Sequence, residues 1–326
     1  MKIGAVLLCL PVFAFLAGCS PPPVGDGKTV FLSYNVQNIF DAETDGSEYE
    51  EFRDQWTEEL YHLRLSNLSE VIRRTSPPPD VVLLQEIEDQ SVLEDLCTIY
   101  LSEYGYSQRI LGGPEESATQ VGLLTHLPVV DVRRHAPPET DHPLRNVLEV
   151  RLDLGGSEIV LFGNHWKSRS GGGEELRRET ARMVRLRVDA LLREEPELGL
   201  LLAGDFNSEP RPPEENPEAP LLLNGSSEAF LNVTDQLGAA EGRLYTPWDL
   251  ASNQGSYLYS DRWERIDAFY LSPRLLEAPG PRFESFSLHP WEELRSGDGS
   301  PRRWITDLET GYSDHLPILL VLATEG

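Results

Sequence analysis

The four residues GDFN, at positions 204–207, follow an aliphatic run over Leu198–Ala203 and place a carboxylate and an amide where a buried strand should end. Side chains two residues apart on extended chain point to the same side, so Asp205 and Asn207 would leave the strand end together. Two oxygen donors in this arrangement suit a metal ion or a phosphate group. Turn chemistry accounts for the same residues, because Asp, Asn and Ser are frequent in turns. The pair alone does not distinguish a site from a turn.

Polar side chains stand in the same position relative to several other aliphatic runs. They are Asn35 and Gln37 in FLSYNVQN, Glu86 in VVLLQEIED, Asn164 and His165 in EIVLFGNHW, Asp267 in ERIDAFYLS, and Asp314 and His315 in GYSDHLPILLV. Each motif alone is explained by a polar cap, a turn or a hydrogen-bonded histidine. Together they predict a site built at strand ends, between packed sheets.

Oxygen donors dominate this set, and they indicate which metal it could hold. Asn35, Glu86 and Asp314 offer amide and carboxylate oxygens, the ligands that Mg²⁺ and Mn²⁺ prefer. The sequence has no HExxH motif and no Cys/His cluster, so zinc is not expected. Phosphoester hydrolysis needs an activated, aligned water and neutralised phosphoryl charge, and these residue types supply both.

The elements that would position these residues are strands mixed with helices. The predicted strands cover Lys28–Tyr34, Asp80–Gln85, Ser107–Leu111, Gln120–Thr125, Val129–Arg134, Val147–Leu154, Glu158–Gly163, Leu198–Ala203, Arg265–Leu271 and Leu316–Leu322. Helical patterns cover Glu48–Arg74, Ser91–Tyr104 and Glu174–Glu194, and loops are expected in the acidic, proline-rich segment from Ser208 and over Ser296–Gly311. The mixture predicts a single layered α/β domain with β-rich hairpins over residues 28–326.

The N-terminus predicts export and a lipid anchor. Residues 1–18 join a basic Lys2 to a short apolar run, which is the pattern of a signal peptide. The motif LAGC at positions 16–19 resembles the lipobox of bacterial lipoproteins, so cleavage would precede Cys19 and that thiol would carry the lipid. Residues 19–27 would then form a tether. We expect the mature protein outside the cytoplasm, in the periplasm or at the cell surface, anchored to a membrane; an ordinary secretory signal is the alternative.

The charge limits the class of substrate. The chain has 28 basic and 54 acidic residues and a formal net charge of −26. Proteins that hold long nucleic acid usually present a basic face. This chain repels polyanions at long range, so its binding of a phosphate would depend on a local cation such as a metal ion.

The motifs resemble those of the endonuclease/exonuclease/phosphatase superfamily, which includes deoxyribonuclease I, and in particular its exported bacterial members. The resemblance runs from Tyr34 to Leu320 and is most specific in GDFN at 204–207 and SDH at 313–315. It implies a four-layered α/β sandwich, with two central mixed β-sheets packed face to face and helices outside. It also implies a Mg²⁺- or Mn²⁺-dependent hydrolase of phosphoric esters, which we expect to be a monomer.

The resemblance assigns a role to each of the polar strand-end residues. Glu86 is the principal metal ligand, with Asn35 beside it and Asp314 in the same oxygen-rich set. Asp205 orients or deprotonates the attacking water, and Asn207 helps to hold that water or donates to the phosphoryl oxygens. His315 pairs with the phosphate or acts as the base, Asp267 fixes its tautomer, and His165 donates to a phosphate oxygen. Whether Asp205 or His315 is the base stays open.

Substrate contacts are expected from a second group of polar residues: Asn35, Gln37, Arg145, Lys167 and Arg169. Lys167 and Arg169 precede three glycines, residues 171–173, and two further arginines follow. A mobile basic loop that meets a phosphate is one interpretation. A solvated helix N-terminus with ordinary ion pairs is the other.

Three functions follow from these observations. A nuclease that acts outside the cytoplasm is the first, although QEIED at 85–89 has Glu88 where nucleases of this family tend to carry a basic residue. Glu88 would repel a phosphate backbone if it faced the substrate. A phosphatase or phospholipid phosphodiesterase acting on inositol phosphates or membrane lipids is the second, because a lipid anchor brings such substrates within reach. A catalytically silent, tethered binding protein is the third.

Overall fold

The computed structural model describes residues 27–44, 46, 48–53, 56–137, 144–169, 173–209, 233–234, 243–251, 255–277 and 279–324. The predicted signal peptide, the predicted lipidation site at Cys19, most of the predicted tether and nearly all of the acidic segment that starts at Ser208 lie outside these residues. Among the described residues, none of the helices has the length and apolar character needed to cross a membrane.

The described part of the chain contains fifteen strands and four α-helices, together with a π-helical segment over Leu96–Tyr100 and several short 3₁₀ helices. The strands are β1 (Lys28–Ile39), β2 (Val81–Ile87), β3 (Gln108–Leu111), β4 (Gln120–Thr125), β5 (Val129–His135), β6 (Val147–Asp153), β7 (Glu158–His165), β8 (Gly199–Asp205), β9 (Val233–Thr234), β10 (Leu244–Tyr245), β11 (Tyr257–Tyr259), β12 (Arg262–Glu264), β13 (Asp267–Leu271), β14 (Arg282–Leu288) and β15 (Ile318–Ala323). The helices are α1 (Glu50–Arg53), α2 (Glu58–Arg73), α3 (Gln90–Asp95) and α4 (Glu174–Glu194).

Two mixed sheets contain most of the strands. Sheet A has the order β14-β15-β1-β2-β4-β3, and sheet B has the order β5-β6-β7-β8-β13-β10-β9. In sheet A, β1 and β2 are parallel and the other neighbours antiparallel. In sheet B, the parallel pairs are β7 with β8 and β9 with β10. The strands β11 and β12 form a separate hairpin.

The hydrophobic core lies between the two sheets, with helices on their outer faces. Strands β1 and β2 contact β8, and β2 and β4 contact β7 across the sandwich. Leu83 of sheet A packs directly onto the Gly163 backbone of sheet B, since a Cβ at Gly163 would lie 2.7 Å from Cδ1 of Leu83. Helix α2 covers sheet A, and Arg187 of α4 pairs with Glu149 of β6 in sheet B. This is the predicted α/β sandwich.

Several elements differ from the sequence-based expectations. The predicted helix over Glu48–Arg74 is two helices, because Thr57 caps α2 by accepting a hydrogen bond from the Leu60 N–H. Strands β9–β12 and β14 were not predicted, so Arg265–Leu271 and Leu316–Leu322 are not the only strands near the C-terminus. The segment β14 buries only Phe286 and Leu288 and carries no long aliphatic run, which is the signal that identified the other strands.

Candidate active site

Strand register brings the predicted site residues together. In sheet B, His165 pairs with Asp205 across β7 and β8, and Asp205 pairs with Asp267 across β8 and β13. In sheet A, Asn35 of β1 pairs with Gln85 of β2, directly before Glu86. The ends of these strands open into one cleft of about 850 Å³. Its walls include Glu86, Arg145, His165, Lys167, Arg169, Asp205, Asn207, Asp314 and His315.

Left-handed backbone conformations redirect the strands at the cleft. Gln37, Asn38 and Glu86 have φ values of 53°, 53° and 71°, and the β1–β2 register shifts between Asn35 and Ile39. Such conformations cost roughly 1–3 kcal/mol for residues other than glycine and concentrate at functional sites. Here the Asn38 N–H donates to Oε2 of Glu86 at 2.9 Å and fixes the carboxylate in place. Strand β1 therefore bulges at the site instead of ending at Tyr34.

The Asn35 side chain joins the two sheets beneath the cleft. Its Nδ2 donates to Oε1 of Glu86 and to Oδ2 of Asp205, both at 3.1 Å. Its Oδ1 accepts from the Gln37 N–H at 3.0 Å, which fixes the orientation of the amide. Asn35 thus presents a donor to the carboxylates, whereas its residue type and position predict an oxygen ligand for a metal.

A turn, and not extended chain, brings Asp205 and Asn207 together. The Asn207 N–H donates to Oδ1 of Asp205 at 2.8 Å, and Nδ2 of Asn207 lies 3.2 Å from Oδ2 of Asp205. The same Nδ2 donates to the Trp166 carbonyl at 3.0 Å. The GDFN stretch is therefore both a turn and part of the site, because the turn places Asn207 beside Asp205.

His315 and Asp267 form a buried, hydrogen-bonded pair at the cleft. Nδ1 of His315 lies 2.8 Å from Oδ2 of Asp267, and the Ser256 hydroxyl donates to the same oxygen at 2.5 Å. Burial alone would lower the pKa of His315, but the carboxylates of Asp267 and Asp205 outweigh it and raise the pKa to about 10. His315 is therefore an imidazolium at neutral pH.

Asp205 and His165 differ from His315 in their protonation states. Burial and the neighbouring Asp267 raise the pKa of Asp205 to about 7. Burial, with Arg145 and His315 nearby, lowers the pKa of His165 well below its usual value, so this imidazole is neutral. Nε2 of His165 lies 3.6 Å from both Oε1 of Glu86 and Oδ2 of Asp205. A group with a pKa near 7 is suited to accept a proton at neutral pH.

Carboxylates at the cleft suit a divalent cation. Burial raises the pKa of Glu86, as does the nearby Asp314, while Arg145 lowers it, so Glu86 and Asp314 repel one another across the cleft. A hard cation between two such carboxylates would relieve that repulsion. A second set of donor atoms, on Asp205, Asp267 and His315, lies within 4.8 Å of one another. The proton shared by His315 and Asp267 makes this second set the poorer cation site.

The predicted substrate-contacting residues fall into three groups. Arg145 and Lys167 line the cleft, and Arg145 is held by donating to the Thr119 carbonyl at 3.1 Å. Arg169 also lines it but pairs with Glu264 at 2.7 Å. Gln37 is not brought into the cleft, because both polar atoms of its amide bond the backbone of Trp304, at 2.9 and 3.1 Å.

Glu88 does not face the cleft. It is buried, and its Oε2 accepts from the Asp41 N–H at 2.5 Å. The expected repulsion between Glu88 and a phosphate backbone therefore has no geometric basis.

The buried guanidinium of Arg64, on α2, is a further component of the site that the sequence does not predict. It donates to the carbonyls of Val36, Gln37 and Tyr312, and its Cζ lies 4.9 Å from the centre of the Trp304 ring. These contacts tie the β1 bulge to the segment before Asp314. An arginine on an amphipathic helix gives no sequence signal that distinguishes it from a surface residue.

Solved structures share this fold. Truncated TDP2 from Caenorhabditis elegans has a TM-score of 0.57 at 15% identity, covering 91% of this chain and 98% of that one. D. rerio TDP2 complexed with a single-strand DNA product has a TM-score of 0.57 at 19% identity, with coverage of 92% and 100%. A mannosyl-6-phosphatase from Bacteroides thetaiotaomicron has a TM-score of 0.56 at 15% identity, with coverage of 90% and 99%.

No curated protein sequence matches this chain significantly. The model of the endonuclease/exonuclease/phosphatase family, in contrast, matches residues 30–324, which is nearly all of the described chain. Members of that family are phosphoester hydrolases and are generally metal-dependent. The chain, with its two mixed sheets and its carboxylate–histidine cleft, belongs to the endonuclease/exonuclease/phosphatase family.

Proposed function

We propose that this protein is a Mg²⁺- or Mn²⁺-dependent phosphodiesterase that cleaves nucleic acid outside the cytoplasm. The observation that carries the proposal is the convergence, at one end of the sandwich, of the buried Asp205 carboxylate with the hydrogen-bonded His315–Asp267 pair. One group can accept a proton at neutral pH, and the other supplies positive charge where a phosphoryl group would develop negative charge.

The two titrating groups divide the chemistry between them. Asp205 takes a proton from the attacking water as the water oxygen bonds to phosphorus. The bond from phosphorus to the leaving oxygen then breaks, and that oxygen is protonated by solvent. His315 is already protonated, so it donates to the phosphoryl oxygens and is not the base, while Asp267 keeps its charge in place. Neutral His165 adds a second donor.

Glu86 and Asp314 would hold the divalent cation. When bound, the cation supplies charge neutralisation for the phosphoryl group and polarises the water. Asn35 acts on this site indirectly, by holding Glu86 and Asp205 at fixed separation. Arg145 and Lys167 are the basic cleft residues that would meet a phosphate oxygen.

The proposed location rests on the N-terminal sequence. The LAGC motif at 16–19 supports cleavage before Cys19 and attachment of lipid to its thiol. Expression in bacteria with radiolabelled palmitate tests this directly. Label should enter the wild type and not Cys19→Ser; label in both, or in neither, contradicts the anchor.

A phosphatase or phospholipid phosphodiesterase is the second candidate, favoured by the net charge of −26, which disfavours long polyanions. Purified protein with Mg²⁺ or Mn²⁺ would be offered plasmid DNA, RNA, inositol phosphates and phospholipids, beside His315→Ala. Cleavage of nucleic acid that the variant loses supports the nuclease. Phosphate or headgroup release alone supports the second candidate. Metal binding without turnover of any substrate supports a binding protein and contradicts both hydrolase proposals.

A further inference from the structure

The β11–β12 hairpin forms a rigid wall of the cleft. Its two-residue turn, Ser260 and Asp261, has φ values of 48° and 60°. Left-handed conformations at both turn positions match the twist of the flanking strands, so a turn of this kind holds the two strands in a fixed register. Glu264 adds an anchor, since its Oε1 accepts from Arg262 at 2.5 Å and from Arg169 at 2.7 Å.

Strand alternation points two tyrosines of this hairpin in one direction. Tyr257 and Tyr259 are two residues apart on β11 and share a face, and both line the cleft. Leu258, between them, pairs with Trp263, which packs against the core on the other face. The Tyr259 side chain is 61% exposed, which is a large aromatic surface left open to the cleft.

The row of rings starts at the reacting centre. Tyr257 pairs with His315 through an isolated β-bridge, and the two ring centres lie 4.6 Å apart with planes inclined by 32°. The Leu316 N–H donates to the Ser256 carbonyl at 2.8 Å and holds the base of the hairpin against this histidine. Residues two apart on a strand are separated by about 6.8 Å, so Tyr259 lies about that distance further along β11 from His315 than Tyr257 does.

Charge in the cleft favours recognition by ring stacking. The carboxylates of Glu86, Glu116, Asp205, Glu264 and Asp314 line the same cleft as Arg145, Lys167 and Arg169. A highly phosphorylated ligand would meet these five carboxylates against three basic side chains and the charged His315. Stacking on an aromatic side chain contributes about 1–3 kcal/mol for each base and needs no positive charge.

We infer that Tyr257 and Tyr259 form a stacking subsite for the planar base of the nucleotide that adjoins the scissile phosphate. The inference rests on the proposed phosphodiesterase function and narrows its substrate to short or unpaired nucleic acid, whose bases are free to stack. Duplex DNA and inositol phosphates lack such a free ring. Tyr259 sets specificity, whereas Tyr257 also supports the His315 ring.

A pair of chromogenic diesters tests the subsite. Thymidine 5′-(p-nitrophenyl) phosphate and methyl p-nitrophenyl phosphate share a leaving group, and only the first carries a base. Wild type should prefer the thymidine ester in kcat/KM. Tyr259→Ala should lower that preference about 5- to 100-fold, chiefly through KM, and Tyr259→Trp should preserve it. Ile99→Ala, which removes an exposed side chain outside the cleft, is the matched control.

The outcomes separate the subsite from the proposed function. An unchanged preference in Tyr259→Ala, or equal losses on both esters, overturns the subsite while leaving the phosphodiesterase proposal intact. If wild type hydrolyses neither ester, the phosphodiesterase proposal fails, and the subsite is then judged by calorimetric binding of a thymidine tetranucleotide. Binding that weakens in Tyr259→Ala and not in Tyr259→Trp supports the subsite, and equal binding by all three proteins rejects it.

Discussion

The hydrogen bond from His315 to Asp267 decides which residue carries which proton. Asp267 accepts from Nδ1 of His315 and from the Ser256 hydroxyl, so its Oδ2 is fully engaged by donors. The geometry leaves Nε2 of His315 to donate to a phosphoryl oxygen. At the scale of single residues, the cleft combines one positive and one neutral imidazole, His315 and His165, with a carboxylate, Asp205, whose pKa is near neutrality.

Replacing Asp267 with Asn should remove most of the activity without unfolding the protein. The amide keeps the size of the carboxylate but loses the charge that stabilises the imidazolium of His315. We expect kcat to fall by about 10²- to 10⁴-fold, the range typical of a positioned acid or base, with KM changed less. Steady-state kinetics on a chromogenic diester measure this. A variant that keeps kcat within a few-fold of wild type would show that the pair is structural.

The buried carboxyl of Glu88, which lies outside the cleft, should make the stability of the protein depend on pH. Burial raises its pKa to about 8, reinforced by the carboxylates of Asp41, Asp89 and Glu48. A carboxyl whose pKa is higher in the folded state stabilises the fold at acid pH, and this contribution is lost as pH rises from about 4.5 through 8. Glu88→Gln keeps an acceptor for the Asp41 N–H and cannot ionise.

We therefore expect Glu88→Gln to be more stable than wild type at pH 9, on the order of 2 kcal/mol, and to show little difference at pH 5. Urea unfolding followed by circular dichroism at the two pH values measures the difference. If wild type is more stable than Glu88→Gln at pH 9, the pKa of Glu88 is not raised in the folded protein and the assignment is wrong.

Helix α2 supports the site through Arg64 and through Asn67, whose Nδ2 donates to the Gly311 carbonyl at 3.0 Å. Arg64 donates to carbonyls of the β1 bulge and of Tyr312, two residues before Asp314, so one guanidinium holds both sides of the proposed metal site. Burial lowers the pKa of Arg64 to about 10, and the group stays charged at neutral pH. Its charge also offsets the carboxylates of Asp314 and Glu86, which lie close enough to act on it.

Arg64→Met should destabilise the protein by about 2–4 kcal/mol, because buried carbonyls lose their donor. Arg64→Lys should fold better but bind Mn²⁺ about 10- to 100-fold more weakly, because one ammonium cannot replace the guanidinium's bonds to three carbonyls around the site. Urea unfolding and isothermal titration with Mn²⁺ give the two values. Arg74→Met removes a guanidinium from the exposed end of the same helix and is the control. Wild-type Mn²⁺ affinity in Arg64→Lys would rule out the positioning role.

Strands rich in aliphatic residues were predictable, and their bends were not. The runs in β2, β4 and β8 are buried along their whole length and match the predicted segments within two residues. The bulges at Gln37–Asn38 and Glu86 carry no glycine, so the sequence contains no local signal for their left-handed backbone. The residue types of the site were thus predictable, whereas the Asn35 orientation and the displaced Gln37 depend on tertiary contacts.

The net charge of −26 governs how the whole molecule meets a polyanion. Salt weakens protein–nucleic acid binding in proportion to the number of phosphates that basic residues neutralise. If Arg145 and Lys167 provide the phosphate contacts, log affinity against log salt should have a slope of about −1 to −2 for a single strand. Fluorescence anisotropy of a labelled single strand, at several salt concentrations between about 50 and 200 mM, measures this slope. A slope near −6 would require an extended basic surface and contradict the stacking-based account.

The central claim is that this cleft hydrolyses phosphodiesters by a metal-dependent reaction that uses His315. The most direct measurement is the release of p-nitrophenolate from bis(p-nitrophenyl) phosphate by wild type and His315→Ala, each with Mg²⁺, with Mn²⁺ and with EDTA. We predict turnover by wild type with either metal, none with EDTA, and a loss of about 10³-fold or more in the folded variant. Equal rates with metal and with EDTA, or a variant as active as wild type, would contradict the claim.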